Sequence, residues 1–192
     1  MASMALTIYQ QIQQLLEDKK NILVTFPKQH SNDAIASAVA ILLWLQKLGK
    51  TVEVVADGFV LPKTLRFLPK ADTIKPAFAH LQKFILMLDV KHAGVNELSY
   101  DLKDETLRIH VTPKQGFLTR DNIKTAQTEF RYDLIITLGA RDLPSLGGLY
   151  EHNADLFYKV PILNIDHHPA NEHFGQVNVV DMAASATAEA VY

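Results

Sequence analysis

Short apolar runs, each too short to be a buried helix, set the limits on what this chain can fold into. Asn21–Phe26, Thr51–Ala56, Phe84–Val90, Asp133–Leu138 and Pro161–Asp166 are rich in Ile, Leu, Val and Phe. Runs of this kind read as strands buried on both faces, the pattern of a parallel sheet. Val177–Val180 reads as a last short strand. Between the first two runs, Asp33 opens a long helix. Its apolar stripe is Ala34, Ile35, Ala38, Ile41, Leu42, Leu45 and Leu48, and Gly49 suits the position just past its end. Strand, helix and strand in that order make a βαβ unit with parallel strands. The expected fold class is α/β: a mainly parallel sheet of about five strands, flanked by helices on both faces.

Other stretches fit around that core. Residues 7–18 read as an amphipathic helix, with Ile8, Ile12, Leu15 and Leu16 on one face and Thr7 as N-cap. Pro62 to Pro69 reads as a short helical turn, and Leu143 to Tyr150 starts a helix. Leu98 to Val111 holds two alternating runs around Lys103-Asp104-Glu105, the signature of a β-hairpin. Ala126 to Phe130 reads as a further strand. Residues 96–130 therefore form a β insertion, and Phe84–Val90 is expected in the core sheet with Asp89 near its C-terminal end.

Composition narrows the function. The chain has 192 residues, a net charge of −2 and no run of like charge, so it has no electrostatic footprint for duplex nucleic acid. It has no cysteine, which excludes disulfides and thiolate metal sites. No apolar run approaches the roughly 18 residues that span a bilayer, and the N-terminus does not read as a secretory signal. A cytoplasmic protein with no membrane partner is expected.

The chemistry concentrates in Pro161-Ile-Leu-Asn-Ile-Asp-His-His168. The strand delivers Asp166, His167 and His168 at its C-terminal edge, where open α/β sheets build their sites. The turn Pro169-Ala170-Asn171 keeps the histidines out of a continuing ladder. In such a loop one ring can bind a metal while the other faces a ligand, and the adjacent carboxylate can fix a tautomer. By position alone, Asp33 reads as a helix N-cap.

Asn164-Ile-Asp-His-His168, followed by Asn171, His173-Phe-Gly175, Asn178 and Ala184-Ser-Ala-Thr-Ala-Glu189, resembles the DHH phosphoesterase superfamily, as does Asp33-Ala-Ile-Ala-Ser37. Nano-RNases and phosphoadenosine-phosphate phosphatases belong to that group. The resemblance implies a single domain of this type over 1–192, without the family's smaller C-terminal substrate-binding domain. The helix starting near Ala184 is expected to continue past Tyr192. It further implies Asp33 and His167 as ligands of one Mn²⁺ or Mg²⁺, His168 on the phosphate and Asp166 orienting a histidine.

The chain departs from the family pattern at Pro27, Ser31 and Gly139, which stand where the family has a histidine, an aspartate and a metal-bridging aspartate. Asp142 is the candidate replacement carboxylate, and at most one ion is expected. His30, Ser31 and Asn171 are candidate substrate contacts. The expected ligand is a small nucleotide or short oligonucleotide, acted on or bound with a reduced metal site. The alternative is a catalytically inactive module that binds a nucleotide or a protein. A homodimer is implied by the resemblance alone.

Overall fold

The computed structural model describes residues 6–82, 84–127 and 129–192. They form two compact units, residues 82–129 and the remainder of the chain.

The larger unit is built on a five-stranded, all-parallel sheet. Its strands are β1 (Asn21–Thr25), β2 (Thr51–Val54), β7 (Leu134–Leu138), β8 (Ile162–Asp166) and β9 (Val177–Val180), in the order β2-β1-β7-β8-β9. Alternate residues face opposite sides. Ile22 and Val24 of β1, Leu134, Ile136 and Leu138 of β7, and Leu163 and Ile165 of β8 pack with helix α2 (Asn32–Lys47) through Ile35, Ala38, Leu42 and Leu45. Helices α1 (Ile8–Glu17) and α5 (Thr187–Val191) lie against the same cluster through Ile8, Ile12, Leu15, Ala190 and Val191. Leu23, Ile135 and Ile162 face the other way. They meet Leu146, Leu149, Leu156 and Phe157, which come from α3 (Gly148–Glu151), α4 (Ala154–Lys159) and the 3₁₀ turn before them. Helices thus cover both faces, as the sequence led us to expect.

Local sequence explains the helix starts. Thr7 caps α1 in a capping box with Gln10. The N-cap of α2 is Ser31, whose Oγ accepts the Ala34 N–H at 3.1 Å. The expectation that Asp33 fills that role is corrected. Asp33 sits inside the first turn, where the helix dipole favours a carboxylate.

The smaller unit holds two antiparallel pairs, β3 (Phe84–Leu88) with β6 (Ile123–Gln127) and β4 (Glu97–Lys103) with β5 (Thr106–Thr112). The hairpin around Asp104-Glu105 is present, and both turn residues have positive φ. Two expectations are corrected here. Phe84–Val90 does not join the parallel sheet: among the described residues its strand pairs with β6 alone. Asp89 therefore does not sit at that sheet's C-terminal edge. The strand expected over 126–130 is displaced to Ile123–Gln127, and residue 128 lies outside the described residues.

Candidate functional site

The connection from β1 leads to β2 on one side, and β7 occupies the other side of β1. The strand order reverses between β1 and β7, and a crevice opens beyond the carboxyl ends of strands at such a point. A cleft of about 620 Å³ lies there. Its walls come from the β1 exit (Pro27, Lys28, Gln29), the β7 exit (Gly139, Arg141, Asp142), the Pro144–Glu151 segment, and Asp166, His167 and His168 at the end of β8.

A rung of polar side chains underlies this edge. Thr25, Thr137, Asn164 and Asn178 are register neighbours on four adjacent strands, so they share one face. Thr137 Oγ1 donates to Asn164 Oδ1 at 3.0 Å, and Asn164 Nδ2 donates to Asn171 Oδ1 at 2.8 Å. Asn171 then donates to Asp166 Oδ2 at 2.8 Å and to the Ala140 carbonyl at 2.9 Å, while its Oδ1 also accepts the His173 N–H. Asn164, Asp166 and Asn171 are all buried. This network fixes the turn that carries the two histidines. Asn171 therefore holds the Asp166 carboxylate and the loop rather than lining the cleft.

Asp166 receives a second bond, from the His167 N–H at 2.8 Å. The His167 ring turns toward α5, with Nδ1 at 3.1 Å from Thr187 Oγ1 and 3.7 Å from Asp166 Oδ1. Thr187 in turn donates its N–H to Asp33 Oδ2 at 2.8 Å, and Ala188 donates to Asp33 Oδ1 at 3.1 Å. His168 Nδ1 accepts the Ala170 N–H.

On the facing walls, Asp142 accepts the Ser145 N–H at 2.7 Å and Arg141 Nε at 2.9 Å. Lys28 Nζ lies 2.9 Å from Asp57 Oδ2, which also accepts the Gly148 N–H. The lysine hydrogen bond, with help from the Gly148 amide, holds the Asp57 carboxyl below its usual range, and Asp57 raises Lys28 in return. Gly147 is required at this corner. Its φ is +64°, and a Cβ there would stand 2.6 Å from Asp57 Oδ2.

The structure brings Asp142, Asp166, His167 and His168 to one cleft, with Asp33 next to it through Thr187. His30 goes elsewhere: its ring meets Phe26 edge-to-face and Phe59 at a tilt, and its Nδ1 meets the Lys28 carbonyl. Ser31 is occupied as the α2 cap. Sequence reasoning missed Lys28, Arg141 and Asp57. Lys28 carried a usable signal, since it lies in the short loop between the first strand and the helix that follows it.

Each oxygen of Asp33, Asp142 and Asp166 accepts one hydrogen bond within the protein, which leaves each a further lone pair. Among the described residues no three His, Asp or Glu side chains converge to hold an ion.

No family model matches the chain, and no curated protein matches it in sequence. Among solved structures it is similar to the crystal structure of an exopolyphosphatase-related protein from Bacteroides fragilis. The TM-score is 0.62 and the identity 15%, over all of this chain and 44% of that one. The chain thus spans less than half the length of that protein. At this identity the likeness is one of fold: the α/β architecture is shared with a phosphatase-related protein. Among the described residues, no helix is long and apolar enough to cross a membrane.

Proposed function

We propose that this chain is a phosphoester-binding domain of the DHH type, which takes a small nucleotide or short oligonucleotide in the cleft at the β1–β7 switch point. The carrying observation is the lining, which sets Lys28, Arg141, His167 and His168 around one crevice. The Lys28 and Arg141 side chains are 60% and 63% exposed. Asp57 occupies one ammonium proton and Asp142 one guanidinium N–H, so both cations keep free donors for a phosphate.

Binding rather than hydrolysis is the reading we favour, because Pro27, Ser31 and Gly139 stand where the resemblance expects metal ligands. A second reading, a hydrolase with one Mn²⁺ or Mg²⁺, is favoured by one observation: Asp33 and His167 both touch Thr187. Two candidate ligands from distant parts of the chain thereby come to one place.

Calorimetric titration of a short dinucleotide, with and without Mn²⁺, on wild type and Arg141→Ala, separates these. We expect binding without Mn²⁺, weakened about tenfold in Arg141→Ala by loss of a charge-assisted hydrogen bond, and no release of mononucleotide. Binding and turnover that both require Mn²⁺ and vanish in His167→Ala would replace this reading with the second. No binding under either condition would reject both.

A further inference from the structure

One buried hydroxyl touches a ring that lines the cleft. Thr187 is 1% exposed, and its Oγ1 stands 3.1 Å from His167 Nδ1. Its backbone is fixed independently of that contact, by the N–H bond to Asp33 Oδ2 at 2.8 Å. Gly139 leaves the approach open, since a Cβ there would come within 3.1 Å of the same oxygen. A hydroxyl carries one proton, and burying it without an acceptor costs free energy. Among the described residues, His167 Nδ1 is the only hydrogen-bond partner of Thr187 Oγ1. Asp166 Oδ1 lies 3.7 Å from Nδ1, beyond hydrogen-bond reach. The hydroxyl therefore donates and the imidazole nitrogen accepts. When one ring nitrogen accepts, the proton of the neutral ring sits on the other. The His167 ring lines the cleft with its side chain 34% exposed, and Nε2 is the nitrogen that Thr187 does not occupy.

We propose that Thr187 is the positioning residue for His167: it holds the ring by Nδ1 and offers Nε2–H to the cleft as a donor for a phosphoryl oxygen. This rests on the phosphoester reading above. Lys28 and Arg141 attract an anion from a distance by charge. A neutral ring N–H does something different, because it bonds only along its own axis in the ring plane and so fixes where the oxygen sits. Without the hydroxyl the ring is free to turn and to exchange its proton between the two nitrogens. The donor would then face the ligand only part of the time.

Two substitutions separate the hydroxyl from the packing. Thr187→Val keeps the shape and removes the hydroxyl, while Thr187→Ser keeps the hydroxyl and removes the methyl. Neither touches the backbone bond to Asp33. The first readout is the pair of ring-nitrogen resonances of His167 in the protein without ligand, assigned by their absence in His167→Ala. Wild type and Thr187→Ser should carry the proton on Nε2, and Thr187→Val should show a mixture of both tautomers. Where Thr187→Val folds poorly, the wild-type ring decides alone. The second readout is calorimetry with the short dinucleotide. Affinity should fall about fivefold in Thr187→Val by loss of one positioned hydrogen bond and stay at the wild-type value in Thr187→Ser. A wild-type ring protonated on Nδ1 would overturn the proposal, and so would a Thr187→Val ring that keeps the wild-type tautomer. Weaker binding in Thr187→Ser than in Thr187→Val would do the same, since packing rather than the hydroxyl would then set the ring. A wild type that shows Nε2–H yet binds no dinucleotide would reject the phosphoester reading and leave the Thr187 assignment standing.

Discussion

Asp33 and Thr187 stand 154 positions apart and are joined by a 2.8 Å hydrogen bond from the Thr187 N–H to Asp33 Oδ2. One carboxylate thus serves two helices. It sits in the first turn of α2, and it receives the first free amides of α5, which has five residues and no side-chain cap of its own. The first amides of an α-helix have no partner within the helix, and here the Asp33 carboxylate takes two of them.

Asp33→Ala should therefore loosen α5 specifically. Loss of a cap costs about 1 kcal/mol, a fall in Tm of about 2–4 °C for a chain of this size. Amide exchange at Thr187 and Ala188 should accelerate while exchange along β7 and β8 stays slow. Unchanged protection at both amides would show that the carboxylate does not hold this helix.

Asn171→Ala should be more damaging than an exposed polar truncation. The side chain joins Asp166, Asn164, the Ala140 carbonyl and the His173 amide. Its removal strands the buried Asp166 Oδ2 and the buried Ala140 carbonyl, each worth about 1–3 kcal/mol when left unsatisfied. Urea denaturation should show a loss of about 2–4 kcal/mol. The His167 and His168 ring resonances should shift, because their loop loses its anchor. A loss below about 0.5 kcal/mol would mean that water replaces the amide fully.

The Lys28–Asp57 pair gives a pH signature at the cleft rim. Lys28 and the Gly148 amide depress the Asp57 carboxyl in the folded state. That contribution is present above the unfolded carboxylate range and disappears as pH falls through the lower folded value, in a window below about pH 4. Lys28 is raised by Asp57, so its share is lost only as pH rises beyond the ordinary lysine range. The stability gap between wild type and Asp57→Asn should be widest near neutrality and shrink toward both ends. Chemical denaturation across the range reads it directly. A gap that does not vary with pH would show that the pair adds nothing to folding.

The βαβ start was legible because its signals are local: an apolar run, a 3.6-residue stripe and Gly49, whose φ is +75°. The hairpin was legible for the same reason, in the alternation on either side of Asp104-Glu105. Phe84–Leu88 was not. An apolar strand states that it is apolar, not which strand it pairs with, and β6 lies outside any local window. Asp33 shows the same limit in the candidate site. Its place at a helix start was readable, but the amides of Thr187 and Ala188 that claim its oxygens come from the far end of the chain. Asn171 was read as a substrate contact beside the histidines, whereas its direction depends on Asn164 and Ala140, which only the register of β7 and β8 brings near.

Gly139 offers the sharpest test of whether a carboxylate at the end of β7 decides metal binding at this cleft. It follows β7 at φ +63°, and a Cβ on it would stand 3.1 Å from Thr187 Oγ1. Thr187 touches both Asp33 and His167. Gly139→Asp therefore adds a carboxylate beside the residue on which the two candidate ligands converge, at the position where the DHH resemblance expects one. Asp tolerates a left-handed backbone better than most side chains, so the substitution should cost about 1 kcal/mol and leave the fold intact. A second acidic group there gives a hard cation the anionic oxygen that Asp33 alone does not supply. Calorimetry with Mn²⁺ should show micromolar binding in Gly139→Asp, none in wild type, and none in Gly139→Asp combined with His167→Ala. If the folded single variant stays silent, the engagement of Asp33 with α5, rather than the missing carboxylate, is what keeps cations out.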